Sequence, residues 1–227
     1  MLTKAEARLP LVFLKILCHF RLIPVEINIE SGQIKLVDSR KKKTWMCMYC
    51  MVVFHCIFLV GRMLQSLALP EYFVFRNVPF HIILIAWMIT NCSCAYTGFI
   101  LWPDITVAIF NELFNEEKSY ELTHARGALE FSKYSLQELL AKFSPLMLSD
   151  VVICWITVYF VGPDKVFYLY SLLGPFRNNY TYLLCGFVES FLVVTSVAQF
   201  TLPFFMLVAF FEKVYSSLRK MSAKLIW

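Results

Sequence analysis

Tyr182, Glu189 and Ser196 recur every seven residues in an apolar stretch near the C-terminus, with Gln199 close behind. On an α-helix that repeat puts all three on one face. A carboxylate in such a stretch is costly to keep out of water, so it marks a binding site or a structural tie. Trp155 and Tyr159, one helical turn apart in the preceding apolar stretch, offer aromatic walls. In one reading Trp155, Tyr159, Tyr182 and Glu189 line a ligand pocket open to the outside. In the other, these residues only hold helices together, or Glu189 lies shallow enough to reach water. Asp150, Cys154, Thr157, Asp164 and Tyr168 form a second stripe, and Ala86, Thr90, Ser93 and Thr97 form a small-residue face suited to close helix packing. All of these faces are expected to point into a bundle.

Catalytic and metal chemistry find little to build on. His19, His55, His81 and His124 are scattered, with no pair at metal-binding spacing. Cys47 and Cys50 have the spacing of a zinc half-site, but no second pair completes four ligands. A membrane-embedded thiol pair, acylated near the cytosolic face, is the more economical account. The eight cysteines lie in or beside apolar segments rather than in polar loops, so they do not form a disulfide framework. No phosphate loop or nucleophile elbow is present, and the chain is expected to be neither an enzyme nor a cofactor protein.

The elements that position these residues follow from the hydropathy pattern. Of 227 residues, 59% are hydrophobic, 17% aromatic and only 16% charged, with a mean hydropathy of +0.64. Long apolar runs with charges confined to the gaps suit the lipid bilayer as solvent. The expected fold is an all-α integral membrane protein, a polytopic bundle of four transmembrane helices at 45–67, 78–102, 146–173 and 181–211. The third reaches sufficient length only if it continues through Gly162-Pro163-Asp164-Lys165 with a kink. Pro203 is expected to kink the fourth.

Lys and Arg set the orientation. Of 21, nine precede Trp45, four lie in 103–145 and four follow Phe211, leaving Arg62, Arg76, Lys165 and Arg177 on the other side. This asymmetry predicts a cytoplasmic N-terminus in a multi-pass plasma-membrane protein. Asn179-Tyr180-Thr181, an N-glycosylation sequon, then falls in the outer loop before span four. The net charge of +5 is densest at Arg40-Lys41-Lys42-Lys43, beside the first span. That is a topology signal, and no nucleic-acid partner is expected.

Outside the spans, residues 1–44 form a cytoplasmic N-tail. Leu9 to Leu22 reads as an amphipathic helix that lies on the membrane surface or packs beneath the bundle. Val25–Ile29 and Gln33–Leu36 alternate like the strands of a small hairpin turned at Ser31-Gly32. The loop 103–145 is expected to be helical, extending spans two and three around an acidic connection at Glu116, Glu117 and Glu121. Residues 212–227 form a cytoplasmic C-terminal stretch.

Taken in order, these features resemble the arthropod gustatory and odorant receptor superfamily, in a style close to springtail gustatory-receptor-like proteins. The resemblance rests on the apolar N-terminal stretch ending Leu22-Ile23-Pro24 and on Ile29-Glu30-Ser31-Gly32-Gln33-Ile34. It continues in the basic run into Trp45, Gly61-Arg62 closing span one, and the long inner loop before span three. It implies a seven-helix receptor with a cytosolic N-terminus, assembled as a homo- or hetero-tetrameric ligand-gated cation channel. It places a pocket for a small-molecule tastant or odorant among the outer halves of helices that include spans two, three and four. The family's Tyr-rich motif ending in Gln-Phe belongs to its last helix, whereas Gln199-Phe200 here lies in span four. The sequence ends at Trp227, without counterparts of helices five to seven. The expectation is therefore a partial chain of a chemosensory, gustatory-type receptor subunit lacking the pore helix and not conducting by itself. A truncated gene model, a partial sequence and a degenerate member all fit that end. The alternative is a four-helix membrane protein of another class, a scaffold or trafficking partner working through helix packing.

Overall fold

Helix α1 (Lys4–His19) stops where the chain turns left-handed at Arg21, φ 57°. The Arg21 N–H bonds to the Cys18 carbonyl and the Leu22 N–H to the Leu17 carbonyl, both at 3.0 Å. This paired ending satisfies the last carbonyls of the helix, and buried Leu17 and Leu22 supply its apolar contact. The structure, a computed structural model, describes residues 4–28, 33–69, 74–115 and 136–225.

The expected hairpin is present. Strands β1 (Val25–Asn28) and β2 (Gln33–Leu36) pair antiparallel, with Val25 opposite Leu36 and Ile27 opposite Ile34. Its turn, and Ile29 with it, falls outside the described residues. The free edge of β2 is met by α4 (Pro103–Asn115). The Asn111 side chain accepts from the Ile34 N–H at 2.7 Å and donates to the Ile34 carbonyl at 2.9 Å. A side-chain amide thus replaces a third strand and blunts the edge.

Among the described residues, three helical stretches are long and apolar enough to cross a membrane: α2 (Ser39–Ala68), Val78–Leu101, and residues Asn179–Leu207 of α6 (Asn179–Leu225). The second comprises α3 (Val78–Ala95), with Pro79 in its first turn, and a π-helical turn over Tyr96–Leu101. Trp102 breaks the helix at φ −131°, ψ 56°, because the residue before a proline resists the α-conformation. Helix α4 then restarts at Pro103, and the Thr106 hydroxyl ties it back to the Gly98 carbonyl at 2.7 Å. The loop 103–145 is helical at both ends, as expected. Its acidic middle, with Glu116, Glu117 and Glu121, lies outside the described residues.

The third span differs from expectation. Helix α5 covers Leu136–Val161, with a shorter apolar stretch at Pro145–Val161. It gains length toward its N-terminus instead of running on to residue 173. Gly162 ends it, its N–H still reaching the Val158 and Tyr159 carbonyls at 3.1 and 3.2 Å. Pro163 then disfavours a helical Gly162 and has no N–H to continue the ladder. Residues 162–178 form a folded loop with 3₁₀ turns at Leu169–Leu172 and Gly174–Phe176.

The exterior is apolar and the interior partly polar. Phe54, Ile57, Ile83, Ile153, Leu184 and Phe187 face outward, while His55, Asn91, Glu189 and Gln199 are buried. One buried cluster joins α1 and the hairpin to Trp45, Phe99, Phe110 and Leu202. The amphipathic α1 therefore packs beneath the bundle through Leu14 and Leu17. The second cluster gathers Val52, Leu59, Met88, Trp155, Tyr159, Phe167, Tyr168 and Val197 around the polar residues.

Asn111→Ala should leave the Ile34 N–H and carbonyl unpaired, at about 1–2 kcal/mol. Hydrogen exchange at the Ile34 amide in detergent micelles should then accelerate by about tenfold, while exchange in the centre of α2 stays unchanged.

Candidate functional site

Glu189 lies on the inward face of α6, fully buried. Its Oε1 accepts the Leu169 N–H at 2.8 Å, and its Oε2 stands 3.5 Å from Nε2 of His55, an equally enclosed residue of α2. A carboxylate with imidazolium and a carboxylic acid with imidazole are both neutral overall, so the pair lowers the cost of burial in either form. The Leu169 N–H begins a 3₁₀ turn, whose free donors favour a carboxylate.

Aromatic rings close around this pair. Tyr168 lies 5.0 Å from Tyr159 and 5.3 Å from Trp155, ring centre to ring centre, both edge-on. Tyr159 stacks on Tyr182 at 5.6 Å, and its hydroxyl donates to the Tyr182 carbonyl at 2.7 Å. Edge-on and offset contacts of this kind add to the apolar burial. Gly186 makes the stack possible: a Cβ there would stand 2.8 Å from the Tyr159 ring. The four pocket candidates Trp155, Tyr159, Tyr182 and Glu189 are thus brought together. They are packed against one another, with Phe167 and Tyr168 of the 162–178 loop inserted over them.

That loop is pinned from two sides. Arg62 of α2 is buried and donates through Nε to the Val166 carbonyl at 2.9 Å and through Nη2 to the Ser171 hydroxyl at 3.0 Å. Its other nitrogen bonds Gln65. The Ser171 hydroxyl bonds in turn to the Tyr168 carbonyl at 2.7 Å. With Glu189 holding Leu169 from α6, the loop forms a lid seated on the carboxylate.

Deeper along α6, Ser196 meets Asn91 of α3, whose side-chain N–H donates to its hydroxyl at 2.6 Å. Gln199 is fully buried beside them, and among the described residues neither of its side-chain polar atoms has a hydrogen-bond partner. Trp155 Nε1 and the Tyr168 hydroxyl also lack one among the described residues, and Glu189 Oε2 has only the His55 ring at 3.5 Å. Donors and acceptors of this kind are where a polar ligand gains affinity.

Two expected faces point elsewhere. Ala86, Thr90, Ser93 and Thr97 are all exposed; α3 buries His81, Leu84, Met88, Asn91 and Ala95 instead, and the π-helical turn after it buries Phe99. Asp150, Cys154 and Thr157 are likewise exposed, since α5 turns Leu148, Trp155 and Tyr159 inward. The physical reason is local satisfaction. Thr90 and Thr157 bond back to the carbonyls four residues earlier, at 2.9 and 2.8 Å, so neither needs a partner helix. Asp164, from the same expected stripe, lies in the loop and pairs with Arg177 at 2.8 Å. Tyr168 alone of that stripe joins the site.

Asn179, the glycosylation candidate, is exposed in the first turn of α6. Asn178 caps that turn reciprocally with Thr181, each backbone N–H bonding the other's side-chain oxygen at 2.9 Å. The sequon hydroxyl is therefore engaged in the cap.

Sequence reasoning missed His55, Arg62, Leu169 and Asn91 as parts of this centre. A histidine and an arginine inside the apolar run of α2 were a usable signal, because each demands a buried partner. Leu169 contributes only its backbone, which no side-chain pattern reveals.

Gly186→Ala should push the Tyr159 ring off α6 and loosen the lid, at a cost of about 1–3 kcal/mol. Trypsin cleavage after Arg177 should then be faster than in wild type. Gly61→Ala, where a Cβ meets nothing within 4 Å, should leave the cleavage rate unchanged.

The chain matches no family model, and no curated protein or solved structure matches it.

Proposed function

We propose that the chain is a chemosensory receptor subunit of gustatory type, and that the lidded Glu189 centre is its ligand site. The observation that carries this reading is a fully buried carboxylate, ringed by Trp155, Tyr159 and Tyr168, beneath a loop held by few polar ties. In this reading α2, α3, α5 and α6 cross the plasma membrane with the N-tail in the cytosol. Helix α5 serves as the fourth span in this reading: its apolar stretch Pro145–Val161 rises about 26 Å, and the preceding turns of the 26-residue helix supply the rest of a hydrocarbon core of about 30 Å. The lid then faces outward, and the basic N-tail lies inside, as the charge asymmetry requires.

Mechanistically, a small polar ligand lifts Phe167 and Tyr168 and takes the Leu169 place on Glu189. Its apolar body packs between Trp155 and Tyr182, which supply most of the contact area. Movement of the lid reaches α2 through Arg62 and α6 through Glu189. The sequence resemblance extends this to a tetrameric ligand-gated cation channel. The exposed polar faces of α3 and α5 favour a second reading, a scaffold or trafficking protein that recruits other helices there.

Orientation is tested by labelling intact cells with an impermeant thiol reagent, in a background with the exposed cysteines replaced by serine. Phe176→Cys should label at once, and Lys43→Cys only after permeabilisation; the reverse pattern refutes the orientation.

Ligand binding is tested on the purified chain by thermal melting against a panel of water-soluble tastants. A true ligand at a hundredfold excess over its Kd stabilises by about 2.7 kcal/mol, a shift of several degrees. Glu189→Gln should reduce that shift at the same concentration. If no compound stabilises the wild type, or Glu189→Gln responds equally, the receptor reading fails.

A further inference from the structure

Two adjoining concavities mark the end of the bundle where α1, the hairpin and α2 meet. The larger, about 460 Å³, is bordered by Lys15, Cys18, His19, Arg21, Glu26 and Lys41. The smaller is bordered by Arg21, Asp38, Arg40 and Lys41. Arg21 and Lys41 stand in both. We propose that this basic hollow binds the phosphate headgroup of an anionic membrane lipid.

The charge balance favours an anion. Two carboxylates face four cations, and one carboxylate is already engaged. Glu26 takes Lys41 at 2.5 Å and Lys35 at 3.5 Å, and these ammonium groups hold its carboxyl below the ordinary carboxylate range. Burial pushes the Cys18 thiol up to about 12, so it adds no negative charge. Among the described residues no ion pair engages Lys15, Arg21 or Arg40. Asp38 precedes α2 and makes no side-chain cap, and no acidic residue occupies the first turn of that helix.

A second observation singles out Arg21. It occupies the left-handed position that closes α1, where glycine or asparagine is the ordinary choice. An L-residue with a long side chain is disfavoured there by roughly 1–2 kcal/mol. The strain is kept at the one residue besides Lys41 that borders both concavities, the pattern expected where a backbone outlier serves binding.

A third observation selects a lipid over a free phosphate ion. Val12 and Ile16 of α1 and Phe20 just past its end form an exposed apolar stripe, four residues apart, beside Lys15 and Arg21. A helix with an apolar stripe bordered by cations lies in the plane of the headgroups, its apolar face toward the acyl chains. The stripe accounts for the lipid tail and the hollow for its phosphate. The proposal rests on the membrane reading of the chain, but not on its being a receptor.

The test uses the full chain in detergent, titrated calorimetrically with dioctanoyl phosphatidylinositol 4-phosphate. Arg21→Gly suits the left-handed backbone, so its melting temperature should not fall. Together with Arg40→Ala it should weaken binding roughly 30-fold, at about 1 kcal/mol for each cation. Lys42→Ala/Lys43→Ala removes the same charge from the same run without touching the hollow and should change affinity less than threefold. Equal losses in the two pairs would mean diffuse electrostatics and overturn the site. So would binding of dioctanoyl phosphatidylcholine as tightly, or of inorganic phosphate as tightly, the latter marking a free-ion site. A chain that stays out of phosphatidylcholine nanodiscs refutes the membrane reading and this proposal together. One that enters them and fails the titration refutes this proposal alone.

Discussion

The fold is organised around one costly group, the carboxylate of Glu189. Set at the centre of four helices and a loop, it would be untenable alone, since an unpaired buried charge is disfavoured by several kcal/mol. Its two oxygens recruit different elements. Oε1 fixes the 162–178 loop through the Leu169 N–H, and Oε2 faces His55 and so sets α2 against α6. With Leu169 held, Tyr168 lies edge-on against Trp155 and Tyr159, and the loop covers the carboxylate. Gly186 completes the geometry by letting the Tyr159 ring lie against the α6 backbone.

The inward polar face of α6 was legible in the sequence because its residues cannot satisfy themselves. Glu189, Gln199 and, on α3, Asn91 carry more polar atoms than their own helix can pair, so the fold turns them inside. Threonine and serine are different. Ser190 and Thr195 bond back to their own helix at 2.6 and 2.8 Å, as Thr90 and Thr157 do on the exposed faces. Such residues carry no information about which side is the core. In a helix that is apolar all round, burial has no pattern of its own. The stripes assigned to α3 and α5 are exposed for that reason, while Trp155 and Tyr159 are buried.

Helix limits show a similar division. Proline and its preceding residue are local constraints that length arguments overlook. Gly162-Pro163 ends α5 where the length needed to span a bilayer pointed to extension, whereas Trp102-Pro103 ends the second span at the limit expected for it. The hairpin was legible because alternation is also local. Its docking partner was not, since Asn111 reaches Ile34 across 77 positions of sequence.

On the receptor reading proposed above, the lid also constrains how a ligand acts. Opening it releases the Leu169 bond to Glu189 and the two Arg62 bonds to Val166 and Ser171. Hydrogen bonds to charged groups are each worth about 1.5–3 kcal/mol, so breaking these three sets a cost that the ligand has to offset. A ligand must therefore replace those bonds as well as fill the space. It must pair with Glu189 and leave Arg62 a carbonyl or hydroxyl to hold. Purely apolar molecules offer neither, and the geometry selects against them even though aromatic rings form the walls.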